Sequence, residues 1–239
     1  MPTQIEEQTT HPVVSQDEWM AASVELLAKE KEFTKLRDQL SAKRRELPWV
    51  QVTQEYEFET PEGKKSLRDL FGDKSQLIVY HFMFAPGWDE GCPGCSFVSD
   101  HFDGALLHMK AKDVAFVAIS RAPLAEFLPF KKRMGWGFDW ISSAGSTFSY
   151  DFGASFRRED LDAGPVVYNF KEQSMKSEDQ PGLTVFVKDA EGRIFRTYST
   201  YERGLDLLCG AYNLLDLTPK GRDESSAMDW VDFHDKYAG

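Results

Sequence analysis

Residues 76–97 read "QLIVYHFMFAPGWDEGCPGCSF". The first nine, 76–84, are almost continuously apolar, as expected of a strand buried on both faces of a sheet. A loop follows, then Cys92 and Cys95, two residues apart. Beyond them Phe97, Phe102, Leu106 and Met109 recur on one side of a helical pattern. Pro93 stands where proline is favoured, at the first helical position, which puts Cys92 at or beside the N-cap. The order is strand, loop, cysteine pair, helix.

Working outward, "DVAFVAIS" (113–120) is a second buried strand. "APLAEFLPFKKRMGW" (122–136) is a helix with an interior proline, and "FDWISS" (138–143) a short strand. "GLTVFVKD" and "RIFRTYSTY" around the turn "DAEG" read as a hairpin over 182–201. "GLDLLCGAYNLL" (204–215) is an amphipathic helix, and 225–239 a last short helix carrying Trp230 and Phe233. Upstream, "VTQEYEFET" (52–60) reads as a strand followed by the turn "TPEGK". Residues 145–180 are irregular and charged, an expected insertion. Strands alternating with helices predict an α/β sheet, mixed in direction, with helices on both faces.

Before this body, residues 1–14 read as a disordered leader and 15–47 as a helical extension, so the main domain spans 48–239. Ser15 and Glu18 form a capping box opening the extension, and Pro48 ends it. Trp19, Ala22, Leu26, Phe33, Leu36 and Leu40 make a stripe at heptad spacing. Such a stripe packs along its own subunit or joins two copies in a homo-oligomer.

The net charge of -11 and pI near 5.0 disfavour nucleic acid and anionic lipid as partners. No apolar run reaches bilayer length, and the first twenty residues lack the basic and apolar regions of a secretory signal. Three cysteines, an odd number, fit a reducing cytoplasm, where a close pair is catalytic or metal-binding more often than structural.

The pair admits three readings. Zinc wants four ligands, and no second pair accompanies this one. Cys209 stands alone among Leu205, Leu208 and Tyr212, as a core thiol would. The pair could simply pack. In the redox reading, the unpaired N–H groups and partial positive charge of a helix start stabilise a Cys92 thiolate. Cys95, one turn inside, then closes the disulfide. Asp89 and Glu90 work against this, since nearby carboxylates raise a thiol pKa. Trp88 is placed to wall the site, and His101 or His81 to pass a proton, although buried histidines such as these and His108 are more often structural. No metal or other cofactor is expected.

The stretch 58–97, with "VAISRAPLAEFLPFKKRMGW" (117–136), "TYSTYERGLDLLCGAYNLLDLTPKGRDE" (197–224) and "MDWV" (228–231), resembles the thioredoxin-like superfamily in its peroxiredoxin-type form. More closely, it is similar to a bacterial family of predicted dithiol–disulfide oxidoreductases, over about residues 15–237. The resemblance implies a thioredoxin-like fold with an N-terminal helix. It also implies Cys92–Cys95 as the active dithiol, a disulfide substrate of protein or small-molecule kind, and a thiol electron donor. It points to Pro181 as the cis-proline that thioredoxin-like proteins set opposite the dithiol. Two positions depart from better-known relatives. Gly91 replaces the tryptophan before the first cysteine of thioredoxins, and Asp89 the threonine of peroxiredoxins, which speaks against a dedicated peroxidatic site.

Overall fold

A computed structural model describes residues 11–237, so most of the expected leader lies outside the described residues. The chain divides into two units, residues 1–47 and 48–239. In the first, helix α1 (Gln16–Arg45) opens with the capping box expected of it. The Ser15 hydroxyl accepts from the Glu18 N–H at 3.3 Å, and the Ser15 N–H donates to the Glu18 carboxylate at 2.9 Å. Asp17 and Glu18 in its first turn, and Lys43, Arg44 and Arg45 in its last, oppose the partial charges of the helix ends.

The second unit holds β1 (Val50–Val52), β2 (Glu57–Thr60), β3 (Gly63–Ser66) and β4 (Gln76–His81). Helices α2 (Pro93–Ser99) and α3 (Asp103–Ala111) lead to β5 (Val114–Ser120), and α4 (Leu124–Met134) to β6 (Trp140–Ser142). The region expected to be an irregular insertion contains α5 (Phe148–Asp151), α6 (Arg158–Ala163) and the small hairpin β7 (Val166–Tyr168) and β8 (Lys171–Gln173). Then come β9 (Gly182–Lys188), β10 (Ile194–Tyr201) and α7 (Gly210–Leu215).

The main sheet has the order β1-β10-β9-β4-β5-β6-β2-β3. β4, β5 and β6 run parallel, β9 antiparallel to β4, and β10 antiparallel to β9. The four central strands β10-β9-β4-β5, with helices crossing between β4 and β5 and after β10, form the thioredoxin-like core. Alternation along β4 divides the interior. Tyr80 joins Phe82, Phe84, Phe116, Phe127 and Trp140 on the side of α2, α3, α4 and α7. Leu77 and Val79 join Phe58, Phe148, Phe152 and Phe186 on the other, where α5 is the covering helix.

Four expectations need correction. The single strand read over 52–60 is two strands in opposite halves of the sheet, β1 at one edge and β2 next to the other. Val50–Val52 pairs with β10, while Phe58 and Thr60 turn inward beside β6. The helix after the cysteines breaks at residues 100–102, because side chains there are tied to the loop after α4. Asp100 accepts from the Trp136 indole at 2.7 Å, and Asp103 accepts from the Gly137 and Phe138 N–H groups at 2.7 and 2.9 Å. The helix read over 204–215 is a 3₁₀ segment, Glu202–Leu208, followed by α7. At that break Gly210 lies against His101, where a Cβ would come within 3.3 Å of the ring. The tail forms only a 3₁₀ turn, His234–Lys236, although Phe233 is buried against Phe130 as an anchor.

Candidate functional site

β4 runs into the site from the middle of the sheet, and the chain returns to it at α2. The Cys92 N–H donates to the Met83 carbonyl at 3.2 Å, which fixes where the helix starts. Cys92 is the N-cap of α2 and Pro93 its first residue, as the spacing required. Both thiols are reduced, Cys92 half-buried and Cys95 buried. The Cys95 N–H donates to the Cys92 sulfur at 3.5 Å, and the Met83 N–H to the Cys95 sulfur at 3.5 Å.

These contacts make the two sulfurs unequal. The Cys95 thiol, donating to the Cys92 sulfur, brings the Cys92 pKa down to about 7; burial opposes this, and the N–H groups of Cys95 and Gly94 assist. With only seven residues in α2, these nearby donors matter more than a long helix dipole. The Cys95 pKa is held well above the thiol range, first by burial and then by the facing Cys92 sulfur. The Met83 N–H and the Tyr80 hydroxyl act in the opposite direction. One sulfur thus ionises near neutral pH, and the other keeps its proton there.

Cys92 forms a wall of two clefts. The first, about 300 Å³, is enclosed by Tyr80, Cys95, Val98, Pro181, Leu205 and Met228. The second, about 490 Å³ and more open, is lined by Trp88, Glu90, Pro93 and Phe233. Trp88 thus lines a cleft together with Cys92. Asp89 is exposed and lines neither cleft. Glu90 lies in the second cleft but is held by Arg133 and by Lys236, the latter at 3.1 Å. Neither carboxylate is among the causes that set the Cys92 pKa.

Pro181 does line the first cleft, but its peptide bond is trans, since the described residues contain no cis bond. Its carbonyl accepts from the Tyr168 hydroxyl at 2.7 Å. The segment before it is clamped by the insertion. Asp179 accepts from the Arg121 guanidinium at 2.6 Å and from the Ser155 hydroxyl at 2.7 Å, and the Gln180 N–H donates to the Ala154 carbonyl at 2.9 Å.

His101 is a correction. It lines neither cleft: its Nδ1 bonds the Phe97 carbonyl at 2.8 Å, and its Nε2 accepts from the Ala211 N–H at 3.0 Å. With both nitrogens engaged it holds α7 to α2 and has no proton to pass. His81 is buried and stacked on Phe148, its pKa lowered to about 3 by burial, so it is neutral. Cys209 is buried with its pKa pushed up to about 12, chiefly by burial, a core thiol as expected. Among the described residues no three His, Cys, Asp or Glu side chains converge as metal ligands.

Two residues were missed from sequence. Tyr80 is fully buried on β4, and its hydroxyl, with no other polar partner, lies beside the Cys95 sulfur. A lone hydroxyl in the run "LIVYHF" was the available signal. Met228 lies over α2, where a Cβ on Gly94 would come within 3.1 Å of its sulfur. Nothing in the sequence joined positions 94 and 228. Gly91 also has its reason: a Cβ there would stand 2.6 Å from the Phe82 ring and 2.9 Å from Phe130.

Residues 8–237 match DUF899, a family described as bacterial protein of unknown function. The chain belongs to this family. No curated protein sequence matches the chain. Among solved structures it is similar to the peroxidoxin BcpB of Mycobacterium tuberculosis, at 15% identity and a TM-score of 0.45, over 68% of this chain and 94% of that one. A mutant of Xylella fastidiosa PrxQ shows 12% identity and a TM-score of 0.42, over 66% and 88%. The Xanthomonas campestris bacterioferritin comigratory protein shows 14% and 0.42, over 65% and 88%. No helix among the described residues of this DUF899 chain is long and apolar enough to cross a membrane.

Proposed function

We propose that this protein is a cytoplasmic thiol–disulfide oxidoreductase acting through Cys92 and Cys95. The observation that carries the reading is the asymmetry of the pair. Cys92 reaches two clefts with its pKa near 7, while Cys95 is enclosed with its pKa raised.

The Cys92 thiolate attacks one sulfur of a substrate disulfide RS–SR. A Cys92–SR bond forms and the S–S bond breaks, releasing RS⁻, which takes a proton from water. Consuming the Cys92 thiolate removes the negative charge that opposed Cys95 ionisation. Cys95 then loses its proton and attacks the Cys92 sulfur. The Cys92–Cys95 bond forms and the second RS⁻ leaves. The substrate gains two electrons and the dithiol loses two; a thiol donor returns them by the reverse steps. As Cys95 ionises, the Met83 N–H and the Tyr80 hydroxyl are its donors, and donors to a charged sulfur strengthen as the charge appears.

Turnover of hydroxyethyl disulfide with a dithiol donor tests this. Wild type should turn over, and Cys92→Ser should not. Absence of dithiol-dependent turnover in wild type would overturn the reading.

A further inference from the structure

The cleft of about 300 Å³ beside Cys92 is the less open of the two, and its composition bears on what the dithiol accepts. Its inner walls are the ring of Tyr80 and the side chains of Val98, Pro181, Leu205 and Met228, with the Cys92 sulfur between them. Three charged residues stand at its margin, Glu202, Arg203 and Asp206, and all three are already paired within the protein. Glu202 accepts from Asn169 at 2.7 Å and Gln173 at 3.1 Å. Arg203 donates to Asp206 at 2.6 Å, and Arg222 lies 3.6 Å from the same carboxylate. Arg203 uses one N–H in this pair and is largely open to water. A charged ligand would therefore meet a hydrated cation at the rim and no acidic or basic side chain on the inner walls, and would lose its own water on entering.

The margin is also held in a costly backbone form. Glu202 (φ 48°) and Met228 (φ 63°), both lining the cleft, are in the left-handed region that side-chain-bearing residues rarely adopt. Such conformations persist where surrounding contacts impose them, and they gather at ligand sites. Glu202 is fixed by its two amide donors. Met228 is fixed by its N–H, which donates to Glu224 at 3.0 Å, and by the closeness of its sulfur to Gly94. Methionine is a flexible, polarisable roof, suited to apolar groups of varied shape.

We propose that the substrate is a disulfide carrying an apolar arm, aliphatic or aromatic, which lies in this cleft under Met228 while its sulfur meets Cys92. A doubly charged disulfide such as oxidised glutathione is the disfavoured class. The inference rests on the exchange chemistry proposed above. The thiol released in the first step leaves through the open cleft beside Trp88.

The test is to mix reduced protein with dimethyl, diethyl, dipropyl, dibutyl and glutathione disulfides, following oxidation of the dithiol by mass. Each rate is divided by that of dithiothreitol with the same compound, which removes differences in intrinsic reactivity. The normalised rate should rise about three- to fourfold for each methylene that enters the cleft, and glutathione disulfide should fall below the dibutyl compound. Met228→Glu should flatten the rise, and Met228→Leu should restore it. A flat series, or glutathione disulfide at or above the dibutyl compound, would overturn the apolar selection while leaving exchange in place. If even dimethyl disulfide leaves the dithiol reduced, exchange itself fails and the proposal falls with it.

Discussion

The main-chain N–H of Cys95 points at the sulfur of Cys92 from one turn inside the helix, at 3.5 Å. With the Cys95 thiol donating to the same sulfur, it makes one residue the main stabiliser of the other's charge. The rate of Cys92 alkylation by iodoacetamide should therefore follow a single ionisation near pH 7 and level off above it. Because the Cys95 thiol is the largest cause of the shift, Cys95→Ala should move that midpoint up toward the ordinary thiol range. An unchanged midpoint would show that backbone donors alone set it.

Tyr80→Phe removes a buried hydroxyl that faces the Cys95 sulfur, a weak acceptor while it holds its proton, and has no other partner, so the fold should lose little. The resolving step should suffer instead. A hydrogen bond to a charged group is worth about 1.5–3 kcal/mol, so closure of the Cys92–Cys95 bond should slow by about tenfold or more, with the first attack by Cys92 unaltered. Rapid-quench mass spectrometry of the mixed disulfide separates the two steps. Equal rates of closure in both proteins would remove Tyr80 from the mechanism.

Gly91→Ala should destabilise the fold by about 1–3 kcal/mol through overpacking, since the new Cβ meets the rings of Phe82 and Phe130 at 2.6 and 2.9 Å. Gly94→Ala meets the flexible Met228 sulfur at 3.1 Å and the Cys92 sulfur at an ordinary 3.8 Å, and should cost much less. Denaturant midpoints of the two variants compare them directly.

Arg121→Ala leaves the Asp179 carboxylate buried without its cation. Breaking a buried pair in this way costs about 3–5 kcal/mol, and both side chains here are well enclosed. Arg121→Met paired with Asp179→Leu should recover much of that loss. A single variant as stable as wild type in urea would show that the clamp before Pro181 contributes nothing.

His81 gives the protein a stability that depends on pH. Its pKa falls from 6.5 unfolded to about 3 folded, so above pH 6.5 both states are neutral and the full stability is present. As pH falls from 6.5 toward 3 the unfolded chain binds a proton that the folded chain does not, and stability is lost. Between pH 7 and pH 5 this group should remove about 2 kcal/mol. His81→Phe should be free of that component, which urea titrations at the two pH values would measure.

The central strands, the cysteine pair at a helix start and the β9–β10 hairpin were legible because each has a local signature: an apolar run, a proline at the first helical position, a turn between alternating strands. Three kinds of feature were not. Val52 and Phe58 lie in one period-two stretch, yet partners far along the chain draw them to opposite halves of the sheet. The helix breaks near Asp100 and Cys209 depend on Trp136 and His101, tertiary partners that no helical periodicity encodes. The sign of the Cys92 shift turned on the Cys95 thiol donor, whose direction is set by packing, against the burial of the Cys92 sulfur. Pro181 lines the cleft that Cys92 and Cys95 also line, and its trans bond was not foreseen.

The most direct measurement is the capture of the first covalent intermediate. Cys95→Ser protein, reduced and then treated with excess hydroxyethyl disulfide at pH 7, should hold one adduct per chain, located on Cys92 by peptide mass mapping. Wild type under the same conditions should hold none and instead carry a Cys92–Cys95 disulfide. An unmodified Cys92 in the variant, or a stable mixed disulfide that wild type never resolves, would contradict an exchange cycle in which Cys92 attacks and Cys95 closes.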